Sequence, residues 1–140
     1  YQIERLGLSK AIQSIVERAS RSTDVVFTKS IDTIDKLVKP EVEISLYRIV
    51  QECRNNILKH SKATEVILNV SKGIDYISVL ISDNGVGFDH NKVKADPSKH
   101  GFGLKGMAER VKLFDGKFNI KTSPGEGTDY NISVPFKAIY

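Results

Sequence analysis

The chain has 140 residues, of which 40% are hydrophobic and 27% charged, a composition typical of one globular domain with a substantial core. No apolar run approaches the ~20 residues that a membrane-spanning helix requires, so we expect no membrane contact by this chain. The net charge of +4 comes from dispersed basic residues, which disfavours nucleic acid and leaves a small polyanion as a partner. A single cysteine, Cys53, excludes internal disulfides and multi-cysteine metal sites and indicates a reducing, cytoplasmic compartment.

The chain begins at Tyr1 rather than Met and carries no signal-peptide pattern. No internal repeat or low-complexity segment divides it. We therefore interpret residues 1–140 as one domain of a longer protein, and any membrane anchor of that protein would lie outside this chain.

The first half of the chain alternates helical and strand patterns. Apolar residues from Leu6 to Val16 recur at helical spacing and predict an amphipathic helix. Residues 24–30 (DVVFTKS) are rich in β-branched and aromatic residues and predict a strand. Pro40, with acidic residues behind it, predicts the start of a second helix, which we expect to run to His60.

The second half predicts two hairpins with a helix between them. Residues 64–71 and 76–83 predict paired strands around the turn-like KGID. A polar stretch, residues 89–99, precedes a third helix from about Leu104 to Phe114, and residues 117–122 and 129–136 predict the closing hairpin. This order predicts an α/β (α+β) two-layer sandwich, in which helices cover one face of a mixed sheet.

The second helix carries a set of polar side chains. At about 100° per residue, Ser45, Glu52, Asn56 and Lys59 share a narrow fan beside an apolar arc. Such a set alone is more often a solvated helix face. If a ligand faces it, the amide oxygen of Asn56 suits Mg²⁺, Lys59 suits a phosphate and Glu52 suits a water or hydroxyl.

A carboxylate ends the fourth predicted element of the chain. Asp83 is followed by NGVGF, so a flat ring can approach the bare backbone at Gly85 and Gly87 while the carboxylate accepts from an exocyclic amine. The alternative is a simple tight turn, because D-N-G is a common turn sequence.

Two further glycine motifs lie near the end of the chain. Gly101, Gly103 and Gly106 spell G-x-G-x-x-G, but no strand can be read before them, as a dinucleotide fingerprint requires. Their backbone N–H groups and a helix N-terminus suit phosphate oxygens instead. The motif GEGT at residues 125–128 reads as a hairpin turn unless Thr128 reaches a ligand ring.

Taken in order, E-x-x-x-N-x-x-K-H, D-N-G-V-G-F, H-G-F-G-L-x-G-M-x-E-R and G-E-G-T resemble the N box, the two glycine boxes and the terminal box of the GHKL superfamily, which includes gyrase, a heat-shock chaperone, histidine kinases and MutL. The resemblance extends from Leu6 to Phe136. It is most specific to sensor histidine kinases that pair with NarL-type response regulators, the DesK-like group. It implies a Bergerat-type ATP-binding fold and a catalytic, ATP-binding domain.

The resemblance also implies roles for single residues. Asn56 would coordinate Mg²⁺, Asp83 would bind the adenine amino group, and Thr128 would support the adenine side. Lys59 would contact phosphate, and Glu52 would position water or act as a base, although many histidine kinases have asparagine there. The remaining implied ATP contacts are Gly85, Gly87, Gly101, Gly103, Leu104, Gly106 and Met107, with residues 89–99 as an ATP lid whose Lys92, Lys94 and Lys99 can reach the polyphosphate.

The family phosphorylates a histidine on a preceding helical dimerisation domain. This chain has only His60, His90 and His100, each within a nucleotide motif, so the resemblance implies that the acceptor domain lies elsewhere in the kinase. The resemblance therefore implies a domain that binds Mg-ATP and donates the γ-phosphate to that histidine. Alternatives are an anti-sigma-type serine kinase of the same fold, an ATPase clamp of the gyrase or MutL kind, and a non-nucleotide binding module.

Overall fold

In a computed structural model, residues 2–89 and 102–136 are described. The helices are α1 (Gln2–Leu6), α2 (Leu8–Ser22), α3 (Pro40–Asn56) and α4 (Phe102–Leu113), and a π-helical turn (Ile57–Ser61) extends α3. The strands are β1 (Val26–Ile31), β2 (Glu65–Lys72), β3 (Tyr76–Asp83), β4 (Lys117–Thr122) and β5 (Thr128–Pro135). Each predicted element is present, with ends shifted by up to about two residues in most cases.

The strands form one five-stranded sheet in the order β1-β2-β3-β5-β4. β1 runs parallel to β2, and the other three pairs are antiparallel, so the predicted mixed sheet and the predicted pairing of β2 with β3 are confirmed. Asp83, the last residue of β3, lies opposite Thr128, the first residue of β5. This register brings two of the predicted site residues to the same end of the sheet.

Helices cover one face of the sheet. Alternate residues of β2, β3 and β5 are buried against apolar residues of α2, α3 and α4, because strand side chains point alternately to opposite faces. On the open face, β3 and β5 present polar side chains that are partly exposed, such as Ser78 and Asn131. The two-layer sandwich predicted from the order of elements is therefore confirmed.

The N-terminal helix differs from the prediction, because it is broken. Gly7 separates α1 from α2 with a φ of 86°, a left-handed conformation that favours glycine. A Cβ atom there would also lie 2.9 Å from the Asp35 carboxylate, which accepts the Ser9 backbone N–H at 2.8 Å. Apolar periodicity continues across the break, so it concealed the break in the sequence.

The end of the second predicted helix also differs. α3 begins at Pro40 as expected, but its α-helical geometry ends at Asn56, and Ile57–Ser61 forms a π turn before Lys62 adopts a left-handed φ of 54°. The Ser61 hydroxyl donates to the Ile57 carbonyl oxygen at 2.6 Å and thereby satisfies an end-of-helix acceptor. Side chains from Lys59 onward therefore do not follow the 100° spacing assumed from the sequence.

Candidate functional site

A cavity of about 230 Å³ opens where the π turn, the end of β3 and the start of β5 meet. Its wall combines a carboxylate, an amide, a cation and aromatic rings, a mixture that suits a flat polar ligand. The lining residues are Asn56, Lys59, His60, Ser61, Asp83, Val86, Gly87, Phe88, Thr128 and Tyr130.

Asp83 is the buried carboxylate of this cavity, with only 5% of its surface exposed. Its Oδ1 atom accepts the Gly85 backbone N–H at 2.8 Å, while Oδ2 is buried with no hydrogen-bond partner among the described residues. Burial raises the pKa of Asp83, and the nearby Asp129 carboxylate raises it further, although the Gly85 N–H opposes the rise. A buried acceptor without a partner is costly, so this oxygen indicates a ligand that donates a hydrogen bond.

The loop after β3 lies tightly against the π turn. The Val86 backbone N–H donates to the Ser61 carbonyl oxygen at 2.7 Å, and a Cβ atom on Gly85 would overlap that same oxygen. The Asn84 side chain holds the other side of the loop, since its Oδ1 accepts the backbone N–H of Thr64 at 2.9 Å. The glycine that the sequence associated with an adenine pocket therefore serves close packing between two backbones.

Gly87 is held on the opposite side by the β4–β5 hairpin. Its φ is 65°, and a Cβ atom there would overlap the Ser123 carbonyl oxygen. The Gly125 backbone N–H also donates to the Val86 carbonyl oxygen at 2.5 Å. The GEGT motif thus closes against the D-N-G-V-G-F loop, and both contribute to one cavity.

Asn56 and Lys59 both line the cavity across from Asp83. The Asn56 Nδ2 atom is buried with no hydrogen-bond partner among the described residues, so the amide is an unsatisfied polar group at the wall. An amide oxygen suits Mg²⁺, which takes few protein ligands when phosphates and waters complete its shell. In the same part of the chain no group of three or more His, Cys, Asp or Glu side chains is placed to hold a metal, so a fully protein-bound ion does not fit.

The sequence did not single out Tyr130 or Thr122. The Tyr130 ring lines the cavity and is 2% exposed, and burial raises the pKa of its phenol, which therefore stays protonated. The Thr122 hydroxyl lies 2.9 Å from the Thr128 hydroxyl. Both belong to alternating strand patterns, and nothing in such a pattern distinguishes a cavity wall from ordinary core.

Glu52 lies apart from this cavity. It lines an adjoining groove of about 540 Å³ between α3 and α4, together with Gly106 and Met107. Ser45 is buried, at 8% exposure. The predicted common fan of Ser45, Glu52, Asn56 and Lys59 is therefore wrong, and the roles assigned to Glu52, Gly106 and Met107 stay predictions for the neighbouring groove.

Several predicted residues fall where the structure says little. Gly101, His90, His100 and the predicted lid after Asp89 lie outside the described residues. Gly103 and Leu104 are placed within α4, whose first residue is Phe102. Their predicted contacts with ATP stay predictions.

The sequence profile of the histidine kinase-, DNA gyrase B- and HSP90-like ATPases matches residues 41–138. Over 104 residues the chain is 40% identical to the signal transduction histidine-protein kinase/phosphatase DegS of Bacillus subtilis (strain 168), covering 74% of this chain and 27% of DegS. It is 32% identical over 131 residues to the sensor histidine kinase ComP of the same strain, covering 92% of this chain and 16% of ComP. The chain belongs to the family of histidine kinase-, DNA gyrase B- and HSP90-like ATPases.

Within this family the predicted resemblance to sensor histidine kinases of the DesK-like group is confirmed by the profile and by these relatives. The chain spans about a quarter of the length of the B. subtilis DegS protein, of which it covers 27%. It therefore corresponds to a histidine-kinase-type ATPase domain within longer relatives.

Solved structures show the same fold. The ATP binding domain of PrrB from Mycobacterium tuberculosis matches with a TM-score of 0.69 and 22% identity, covering 91% of this chain and 93% of that one. The histidine kinase domain of the blue-light activated EL346 kinase from Erythrobacter litoralis gives a TM-score of 0.73 and 22% identity, covering 94% of this chain and 60% of that one. The predicted Bergerat-type fold is confirmed by this likeness. Across residues 2–89 and 102–136, none of the helices has the length and apolar character needed to cross a bilayer.

Proposed function

We propose that this domain binds Mg-ATP in the 230 Å³ cavity and donates the γ-phosphate to a histidine on a separate helical dimerisation domain of the same kinase. A NarL-type response regulator would then receive the phosphate. The family profile supports ATP as the ligand class, and the names of the relatives, histidine-protein kinase and sensor histidine kinase, support histidine as the acceptor.

The observation that carries the proposal is the unpartnered Oδ2 atom of Asp83. It is an acceptor at the wall of a cavity that also contains Thr128 and the aromatic ring of Phe88. The exocyclic amine of adenine is a donor on a flat ring, so one ligand satisfies the buried oxygen and fills the space beside the bare backbone of Gly87. Guanine carries a carbonyl oxygen at the equivalent position and would leave Asp83 facing a second acceptor.

The phosphates would lie towards the π turn. Lys59 is exposed at the cavity and supplies a positive charge, and the Asn56 amide can orient its oxygen towards a cation bound to the phosphates. When bound, Mg²⁺ neutralises phosphate charge and aligns the β- and γ-phosphates. The residues of this chain therefore bind and position ATP, while the attacking nitrogen comes from another domain.

An anti-sigma-type serine kinase of the same fold is less well supported. The similarity to DegS and ComP covers 74% and 92% of this chain, respectively, and each is named as a histidine kinase. No feature of the cavity favours a serine acceptor over a histidine, so the histidine kinase proposal stands as the single candidate.

Calorimetric titration tests the proposal directly. ATP with Mg²⁺ should bind one site per chain, ATP with chelator should bind more weakly, and GTP should bind at least tenfold more weakly than ATP, as expected for a mismatched buried polar group (~1.4 kcal/mol per tenfold). Equal affinity for ATP and GTP would remove Asp83 from base recognition. No binding of either nucleotide would overturn the proposed function.

A further inference from the structure

The Thr122 hydroxyl joins three segments around the cavity. It accepts the Phe88 backbone N–H at 3.0 Å, lies 3.1 Å from the Gly127 carbonyl oxygen and lies 2.9 Å from the Thr128 hydroxyl. Thr128 itself lines the cavity and is 4% exposed. One side chain at the end of β4 therefore contacts the loop after β3, the hairpin and a wall residue of the site.

A hydroxyl has one proton and two lone pairs, which limits how these contacts can be made. The Phe88 N–H occupies one lone pair of Thr122. If Thr122 donates its proton to Thr128, the proton of Thr128 is free to point into the cavity. If Thr128 donates to Thr122, then Thr128 presents only lone pairs to a ligand. The direction of this one hydrogen bond sets the polarity of Thr128.

Asp83 supplies the complementary group. It is the direct partner of Thr128 across β3 and β5, and both side chains are buried on the face covered by helices. The Oδ2 atom of Asp83 is an acceptor without a partner. The edge of adenine presents an amine donor beside a ring nitrogen acceptor, so it requires an acceptor and a neighbouring donor on the protein.

We propose that Thr122 is a positioning residue that fixes the Thr128 hydroxyl as a donor, so that Asp83 and Thr128 together read the amine and the adjacent ring nitrogen of adenine. This inference rests on the proposed function. Guanine presents a ring N–H to Thr128 and a carbonyl oxygen to Asp83, which places donor against donor and acceptor against acceptor. Thr122 thus contributes to base selectivity from behind the cavity wall, without contacting the base.

A purely structural role for Thr122 is the competing explanation. Removal of its hydroxyl also leaves the Phe88 N–H and the Gly127 carbonyl without this partner, so a loss of stability is expected under either explanation. Affinity for ATP alone is ambiguous for the same reason. The two explanations differ in how a Thr122 variant responds to removal of the ring nitrogen from the ligand.

The test compares ATP with 1-deaza-ATP, in which a C–H replaces the ring nitrogen beside the amine. We expect wild type to bind 1-deaza-ATP about fivefold to tenfold more weakly, the range for a lost hydrogen bond. Thr122→Val, which keeps the side-chain shape, should bind the two nucleotides alike. Thr122→Ser keeps the hydroxyl and should retain the wild-type ratio. Thr122→Ala replaces the valine variant if the latter does not fold.

A second ligand gives the matched control. Purine riboside triphosphate lacks the amine but keeps the ring nitrogen, so wild type and Thr122→Val should lose affinity for it by the same factor, since Asp83 is intact in both. A Thr122→Val protein with the wild-type ratio of ATP to 1-deaza-ATP would overturn the inference, as would a wild type that binds both equally. In both cases ATP binding itself would be preserved. A wild type that binds no ATP would overturn the proposed function and this inference with it.

Discussion

The backbone N–H of Val86 donates a hydrogen bond of 2.7 Å to the carbonyl oxygen of Ser61. This bond joins the π turn at the end of α3 to the loop after β3. It is possible only because Gly85 has no Cβ atom, which would overlap the Ser61 carbonyl. The contact explains why Asn56 and Asp83, on different elements, line the same cavity.

We expect Gly85→Ala to destabilise the domain by about 2–4 kcal/mol, because a backbone carbonyl cannot move aside as a flexible side chain can. Gly106→Ala is the matched control. A Cβ atom on Gly106 meets nothing within 4 Å, and alanine in a helix interior is favoured over glycine by up to about 1 kcal/mol. Denaturant unfolding measures both changes. Equal stability of wild type and Gly85→Ala would contradict the close approach.

The same contact shows where sequence reasoning reached its limit. The start of α3 at Pro40 and the limits of β3 could be predicted, because proline position and strand alternation are local signals. The π turn could not, since it depends on the Ser61 hydroxyl and on a partner from a distant loop. A 3.6-residue period assumed through Lys59 therefore gave the wrong grouping of polar side chains.

The candidate site was predictable to the extent that its motifs carry unusual residues. Asp83 follows a strand and precedes glycines, which is a local signal for a cavity edge. Thr122 gave no such signal, because a threonine at the end of a β-strand is ordinary, and its importance lies in contacts with Phe88 and Thr128. Glu52 was placed with Asn56 by helical spacing, yet the curvature of the surface assigns it to the groove beside α4.

Asp83→Asn should weaken ATP binding by at least tenfold. A charge-assisted hydrogen bond to the adenine amine is lost, and the new amide can present a donor to that donor. Asp129→Asn is the control, since it removes a nearby carboxylate that does not line the cavity. Calorimetry compares the two variants with wild type. Normal ATP affinity in Asp83→Asn would exclude its carboxylate from base recognition.

The pH dependence of folding should also report Asp83. Burial raises its pKa above the ordinary value of 3.8, so the native state binds more protons than the unfolded state between 3.8 and the raised pKa. The free energy of unfolding contributed by this group therefore falls as pH rises through that window. Thermal unfolding between pH 4 and pH 8 should show a smaller decline for Asp83→Asn than for wild type. Parallel curves would contradict a raised pKa.

Asn56→Ala should remove most of the Mg²⁺-dependent part of ATP affinity and leave the fold intact, because the change lies near the end of α3 and alanine favours helix. The matched control is Asn55→Ala, since Asn55 lines the adjoining groove and accepts from the Arg54 guanidinium. Binding is measured with Mg²⁺ and with chelator. An Mg²⁺ effect of wild-type size in Asn56→Ala would place the metal ligand elsewhere.

The isolated chain should bind Mg-ATP without phosphorylating itself. In-line transfer requires the acceptor nitrogen opposite the leaving oxygen of the γ-phosphate. His60 belongs to the π turn that the Ser61–Val86 hydrogen bond holds against the base-binding loop, so it lies at the wrong end of the proposed ATP site. Incubation with γ-labelled ATP should label a helical dimerisation domain of the same kinase when that domain is added or fused, and His60→Gln should label it equally well. Stoichiometric acid-labile phosphate on this chain alone would show that the acceptor lies within it and would refute the assignment to a separate domain.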